Sequence, residues 1–245
     1  MKHGRPIAVV ISQPMLFPWI GMLEQIRLAD KYVHYGDVQF SKGSFVNRVQ
    51  VKTRQGRNWL TVPLRDLSIG QHIDAVKIDD RKAWRNQHLE LLKQAYATAP
   101  YRDEMLDLVR GVYQQSYETI GAVSRASLLA LCGYFDLRSD RQFFESHVLE
   151  IGGESSQRVL DIVAKLQGTR YITGWGARNY LDHELFERHG ITVEYMDYLR
   201  APYPQLHGDF TPYVSALDLV ANCGMAGREH IRSATLYWKE FISHG

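Results

Sequence analysis

Most of the side chains with chemical potential in this chain are amides, carboxylates and phenols in segments that read as loops. They are Gln13, Asp37, Gln39, Asn47, Tyr180, Tyr203, Gln205 and Asp218, together with His207 and the glycines Gly174 and Gly176. Such groups orient a ligand rich in hydroxyls or amides, because each offers a directional donor or acceptor. Asp37 and His207 are the members able to carry a proton at ordinary pH, so they are the candidate base and acid. Arg48 and Lys52 add two cations suited to a phosphate or carboxylate, Arg as a bidentate fork and Lys as a point charge. Each residue also has a plainer use. Gln13 reads equally well as a solvated turn residue, Asp37 as a cap, and Lys52 alone as part of a solvated hairpin face.

The elements that must position these groups follow from hydrophobic periodicity. Residues 7–11 form an unbroken apolar, largely β-branched run, as expected of a strand covered on both faces. It stops at Ser12-Gln13-Pro14, and a helix pattern starts near Gly21 with Leu23, Ile26, Leu28 and Ala29 on its apolar face. Residues 31–35 read as a second strand ending at Gly36-Asp37. Gln13 and Asp37 therefore end neighbouring strands at one carboxyl edge, where open α/β sheets collect ligands. Residues 44–51 and 58–63 are expected to form a hairpin carrying Asn47, Arg48 and Lys52. Residues 73–78 read as a short strand.

The middle of the chain turns helical. Trp84, His88, Leu92 and Tyr96 recur every four residues, and 104–113 and 121–135 are two more amphipathic helices. His88 on that stripe reads as a packing histidine. After a joint from Ser139-Asp140 to Glu154, Ser155-Ser156 is expected to cap a helix over 157–166. A strand at 170–173 then leads through Gly174-Trp175-Gly176 to a helix over 179–189 and a strand over 191–198. Two glycines between strand and helix let backbone N–H groups approach an anion. The polar-aromatic loop 203–208 precedes a helix carrying Asp218. The expected class is α/β, a mainly parallel sheet with flanking helices, in one domain spanning 1–245 with a helical subdomain or cap at 83–138.

Composition narrows the function. A chain of 245 residues with 45% hydrophobic and 23% charged residues buries a substantial core. A net charge of +2 is too mild for a nucleic-acid or membrane surface. Two cysteines, Cys132 and Cys223, fit a reducing cytoplasm, and no signal sequence or membrane span is expected. Ten histidines lie without ligand spacing, so no metal site is expected. Phosphate-loop, GxSxG, HExxH and CxxC motifs are absent. A homo-oligomer is compatible with all of this.

The stretches ISQPMLFPWIGM, ADKYV, DVQFSKGSFVNR, WLTVP, YITGWGARNYLD, GITVEYMDY, YPQLHGDFTPY and SALDLVANCG resemble, in order, those of the WbqC-like family of bacterial proteins. Two positions depart from its pattern: Gly36-Asp37 stands where two acidic residues are frequent, and Ser139-Asp140 where paired serines are. The resemblance implies a role in O-antigen or other surface-polysaccharide biosynthesis, with transfer of a glycyl or similar acyl group onto an amino sugar or sugar nucleotide. Asp37 or His207 would then deprotonate the attacking amine, and the acyl donor would need activation. Trp19-Ile20-Gly21-Met22 is also similar to the HxGH loop of nucleotidylyltransferases and adenylate-forming ligases, with Trp19 and Met22 replacing both histidines. That similarity implies a doubly wound fold with ATP at the first loop, contacting the helix start and Arg48 or Lys52. An adenylating ligase and a non-catalytic binding protein of the same pathway are the alternative readings.

Overall fold

The computed structural model describes residues 5–138 and 141–243. The Ser139-Asp140 joint lies outside them. In chain order the elements are β1 (Ala8–Ser12), α1 (Ile20–Leu28), β2 (Lys31–His34), β3 (Arg48–Thr53), β4 (Gly56–Thr61), β5 (Leu64–Arg65) and β6 (Lys77–Ile78), then the helices α2 (Trp84–Ala95), α3 (Arg102–Tyr113) and α4 (Ile120–Tyr134). They continue with β7 (Gln142–Glu145), α5 (Ser155–Lys165), β8 (Arg170–Thr173), α6 (His183–Arg188), β9 (Thr192–Asp197), α7 (Leu217–Cys223), β10 (Ala234–Tyr237) and α8 (Trp238–Ser243).

Among the described residues, six strands form the central sheet in the order β10-β9-β8-β1-β2-β7, parallel throughout except for β10. The expected α/β class with a mainly parallel sheet is therefore what the chain adopts. β1 lies in the middle, and its alternating residues enter two separate cores. Ala8 and Val10 join one with α1, α2, α3, α4 and α7, while Val9 and Ile11 join another with α5 and α6. That is why its sequence is apolar without alternation. From β1 the chain moves outward through α1 to β2, and later to β7. It returns through α5 to β8 on the other side of β1, so direction reverses between β1 and β8. No described helix is long and apolar enough to cross a membrane.

Several boundaries differ from the sequence expectation. Of the strand expected over 73–78, only Lys77–Ile78 forms a strand, because Ile73–Ala75 turns as a 3₁₀ helix. The helix expected over 179–189 shortens to α6, started by Asp182, whose side chain accepts from Leu185 N at 3.0 Å. Ser155-Ser156 does not cap α5, whose N-cap is Glu154. The Ser156 hydroxyl instead accepts from Asp182 N and donates to Tyr180 O. Strands β7 and β10 were absent from the sequence reading, since their partly exposed side chains give no buried-strand pattern.

The loop from β1 to α1 is fixed by distant residues. Phe17 is fully buried with φ at 35°, a left-handed conformation costly for a residue with a Cβ. Its N–H donates to Ser127 Oγ of α4 at 2.8 Å, and its carbonyl accepts from Ser215 Oγ at 2.7 Å. Leu16 N donates to Phe45 O at 3.1 Å. The helical middle region thus shapes the sheet's first loop.

Candidate functional site

The carboxyl ends of β1, β2 and β8 open into a cleft with two halves. The first, about 390 Å³, includes Ser12 at the end of β1 with Gln13 and Met15 beyond it, Gln25 of α1, and Thr173 at the end of β8 with Gly174 and Gly176 beyond it. The second, about 670 Å³, includes Asp37 and Gln39 after β2, His72, the turn 152–155 and Arg158 of α5. Tyr35 and Tyr180 line both halves. The cleft lies where the sheet reverses direction, the place at which open α/β folds bind ligands.

Gln13 and Gln39 reach this cleft with exposed side chains that have no hydrogen-bond partner among the described residues. Gly174 is needed for close approach: a Cβ there would lie 3.2 Å from both Gln25 Nε2 and Tyr198 OH, which are themselves bonded at 2.6 Å. Gly176 has open space around it, leaving its backbone accessible. Tyr35 is held above the ordinary phenol range by burial, against the opposing pull of the Arg158 guanidinium 4.9 Å from its ring. It therefore stands protonated as a donor at neutral pH.

Arg158 is the residue that sequence reasoning missed. It is 8% exposed, donates through Nε to Ile151 O at 3.0 Å and through Nη2 to Asp37 Oδ2 at 2.5 Å. Asp37 accepts a second bond from Ser146 Oγ at 2.5 Å. Both oxygens of the candidate base are thus engaged, and Asp37 anchors a buried cation at the cleft wall. A signal existed: Arg158 falls one turn before Ile162 on the buried stripe of α5, an unusual place for a charge.

Other predicted residues lie elsewhere. His207 neither touches Asp37 nor lines the cleft; its Nε2 donates to Ala95 O at 2.6 Å. Asn47 is buried and donates to Val62 O, closing the hairpin onto the next turn. Arg48 donates twice to Gly43 O and stacks 4.2 Å from the Trp59 ring centre. Lys52 is 6% exposed rather than solvated, and its ammonium donates to Gln205 Oε1, Gly208 O and Asp209 O. Gln205 donates to Tyr203 OH, and Tyr203 and Tyr96 donate to the two oxygens of Asp218 at 2.9 and 3.0 Å. Burial raises the Asp218 carboxyl above the usual range, with those donors and Lys52 opposing it. Neither half of the cleft is lined by any member of this network. Tyr203, Gln205 and His207 therefore share no cleft lining with Gln13 and Asp37, because the late loop packs on the hairpin and α2.

His88 is buried as expected, bonded to Tyr113 OH at 2.8 Å and Thr61 O at 3.1 Å. Burial lowers its pKa to about 4, so it is a neutral packing group.

The chain has relatives among known proteins. It is 30% identical over 227 residues to the uncharacterized protein Rv1507c of Mycobacterium tuberculosis, covering 91% of this chain and 97% of that protein. No solved structure matches it. Residues 13–230, which contain the cleft lining apart from the end of β1, match the WbqC-like protein family. The chain belongs to the WbqC-like protein family.

Proposed function

We propose that the cleft binds an amino sugar or sugar nucleotide, and that the protein transfers a glycyl or other aminoacyl group onto it during assembly of a surface polysaccharide such as O-antigen. The observation that carries this reading is the division of labour within the cleft. One half offers amides and phenols free to bond hydroxyls, as Gln13 and Tyr180 do. The other offers the Gly152-Gly153 turn, the start of α5 and the buried Arg158, which suit a phosphate or carboxylate. The pathway is the one that the resemblance to WbqC-like proteins implies. The acyl donor arrives activated, since a free carboxylate is a poor electrophile. Asp37 serves here by holding Arg158 in place.

A second reading is an ATP-dependent adenylating ligase or nucleotidyltransferase. The switch in strand order between β1 and β8, beside the first loop, favours it. Arg48 and Lys52 are engaged elsewhere, so Arg158 would take the phosphate role in that case.

Calorimetric titration with UDP-linked amino sugars and with ATP separates the two. Sugar-nucleotide binding weakened at least roughly tenfold by Gln13→Ala and by Arg158→Lys is the expected result, since each removes directional bonds to the ligand. Amino-acid-dependent ATP–pyrophosphate exchange would establish the second reading instead. No binding of either class at millimolar concentration sinks both.

A further inference from the structure

Next to the second half of the cleft, three residues of metal-ligand type converge from two segments. Asp74 sits in the 3₁₀ turn before β6, Glu145 ends β7, and His147 follows it by two residues. One ligand atom of each lies within 4.8 Å of the others. Asp74 is firmly placed: its N–H donates to Gly36 O at 3.0 Å, and its carboxyl fills the space beside two glycines. A Cβ at Gly36 would fall 2.1 Å from Oδ2, and one at Gly121 would fall 2.2 Å from Oδ1. Side chains larger than hydrogen at 36 or 121 would push this carboxyl aside.

Arg125 of α4 bonds Asp74 Oδ1 and lies 3.2 Å from Glu145 Oε1. One guanidinium thus faces two carboxylates, and the remaining oxygens, Asp74 Oδ2 and Glu145 Oε2, are buried without a hydrogen-bond partner among the described residues. Unpaired buried carboxylate oxygens are costly, and a cation between them removes the cost. The independent observation is His34. It is 1% exposed, and neither ring nitrogen has a hydrogen-bond partner among the described residues. His34 is the register partner of Glu145 across the parallel β2–β7 pair, so both side chains project from the same face of the sheet, side by side. Two unsatisfied imidazole nitrogens beside two unsatisfied carboxylate oxygens mark a place built for something further.

The geometry points to a divalent-cation site in which Asp74, Glu145 and His147 are the ligands and His34 hydrogen-bonds a water on the ion. Two carboxylate oxygens and one imidazole select a first-row ion such as Mn²⁺, Fe²⁺ or Zn²⁺ over Ca²⁺. Ligand spacing does not reveal it, because one ligand lies some seventy residues before the other two and fold alone unites them. The site adjoins the cleft through the chain itself. Ser146, between two of the ligands, bonds Asp37, and His72, two residues before Asp74, lines the second half. An ion there adds positive charge beside Arg158 without depending on which substrate the cleft takes.

The test is calorimetry and Mn²⁺ electron paramagnetic resonance on the full chain after chelator treatment and dialysis, with Mn²⁺, Zn²⁺ and Mg²⁺ as probes. One equivalent of Mn²⁺ or Zn²⁺ is expected to bind and raise the melting temperature, because only the folded chain assembles the ligands. His147→Ala, at a half-exposed position that tolerates truncation, is expected to weaken binding by tenfold or more and to abolish the thermal shift. Glu145→Gln should do the same, and His34→Asn should weaken binding less. His189→Ala, remote at the C-cap of α6, should change nothing. The assignment is overturned if no ion binds stoichiometrically, if His147→Ala binds like the wild type, or if His189→Ala weakens binding as much as His147→Ala does.

Discussion

The cleft and the Tyr96–Asp218–Tyr203–Gln205–Lys52 network use the same vocabulary of amides, phenols, a carboxylate and a cation, to opposite ends. In the network every named group is matched by another group of the chain, and Asp218 is wholly buried. In the cleft, Gln13 and Gln39 are exposed and unmatched, while Arg158 keeps one bond to Asp37 and faces a lined cavity. Residue type and loop location do not separate binding from structure. Satisfaction does: a polar group already bonded inside the protein holds the fold, and an unbonded one beside a cavity is available to a ligand.

The largest effect expected on this contrast comes from Asp218→Ala. It leaves two buried phenols without an acceptor and should lower stability by about 2–5 kcal/mol in urea denaturation. A loss below roughly 1 kcal/mol would erase the distinction between the regions. Glu24 of α1 tests burial itself, since the carboxyl is 2% exposed and burial raises it from 4.5 to about 7, against an opposing bond from Ser233 Oγ. Because the folded value is the higher one, the stability it contributes is complete below about pH 4.5 and disappears as pH rises through about 7. Glu24→Gln should remove that slope, making the variant the more stable protein at pH 8 by up to about 3 kcal/mol relative to its standing at pH 4. Equal pH profiles for the two proteins by thermal denaturation would contradict this. Next comes His207→Ala, which loses the bond to Ala95 O and should cost about 1 kcal/mol while leaving ligand affinity unchanged. Any large loss of affinity in that variant would return His207 to the site. The smallest stability effect belongs to Tyr180→Phe, within about 0.5 kcal/mol. Its ligand dissociation constant should nonetheless rise roughly threefold to tenfold, as calorimetry would register.

Much of the cleft was legible in the sequence. The apolar run before Gln13, the strand ending at Gly36-Asp37 and the strand ending at Gly174 each announced a carboxyl edge, and the parallel sheet brings those edges together. Gln13, Asp37, Gln39, Gly174, Gly176 and Tyr180 follow from that register alone. Lys52, Gln205, His207 and Asp218 could not be separated from them, because partners of each lie far away along the chain. Lys52 and Asp209 are one instance, and His207 and Ala95 another. β7 was hidden for a related reason, since Gln142 to Glu145 carries no alternation strong enough to mark an edge strand.

The twisted backbone at Phe17 bears on the order of events during folding. Both of its peptide groups are clasped by hydroxyls that arrive late, one from α4 and one from the turn at Ser215. Before those segments dock, nothing offsets the left-handed conformation, and the neighbouring Gln13–Met15 wall has no fixed mould. Ligand competence is therefore expected to appear last on refolding, after the sheet has acquired its ultraviolet circular dichroism. Recovery of binding in step with that signal would show that the wall sets without its clasp.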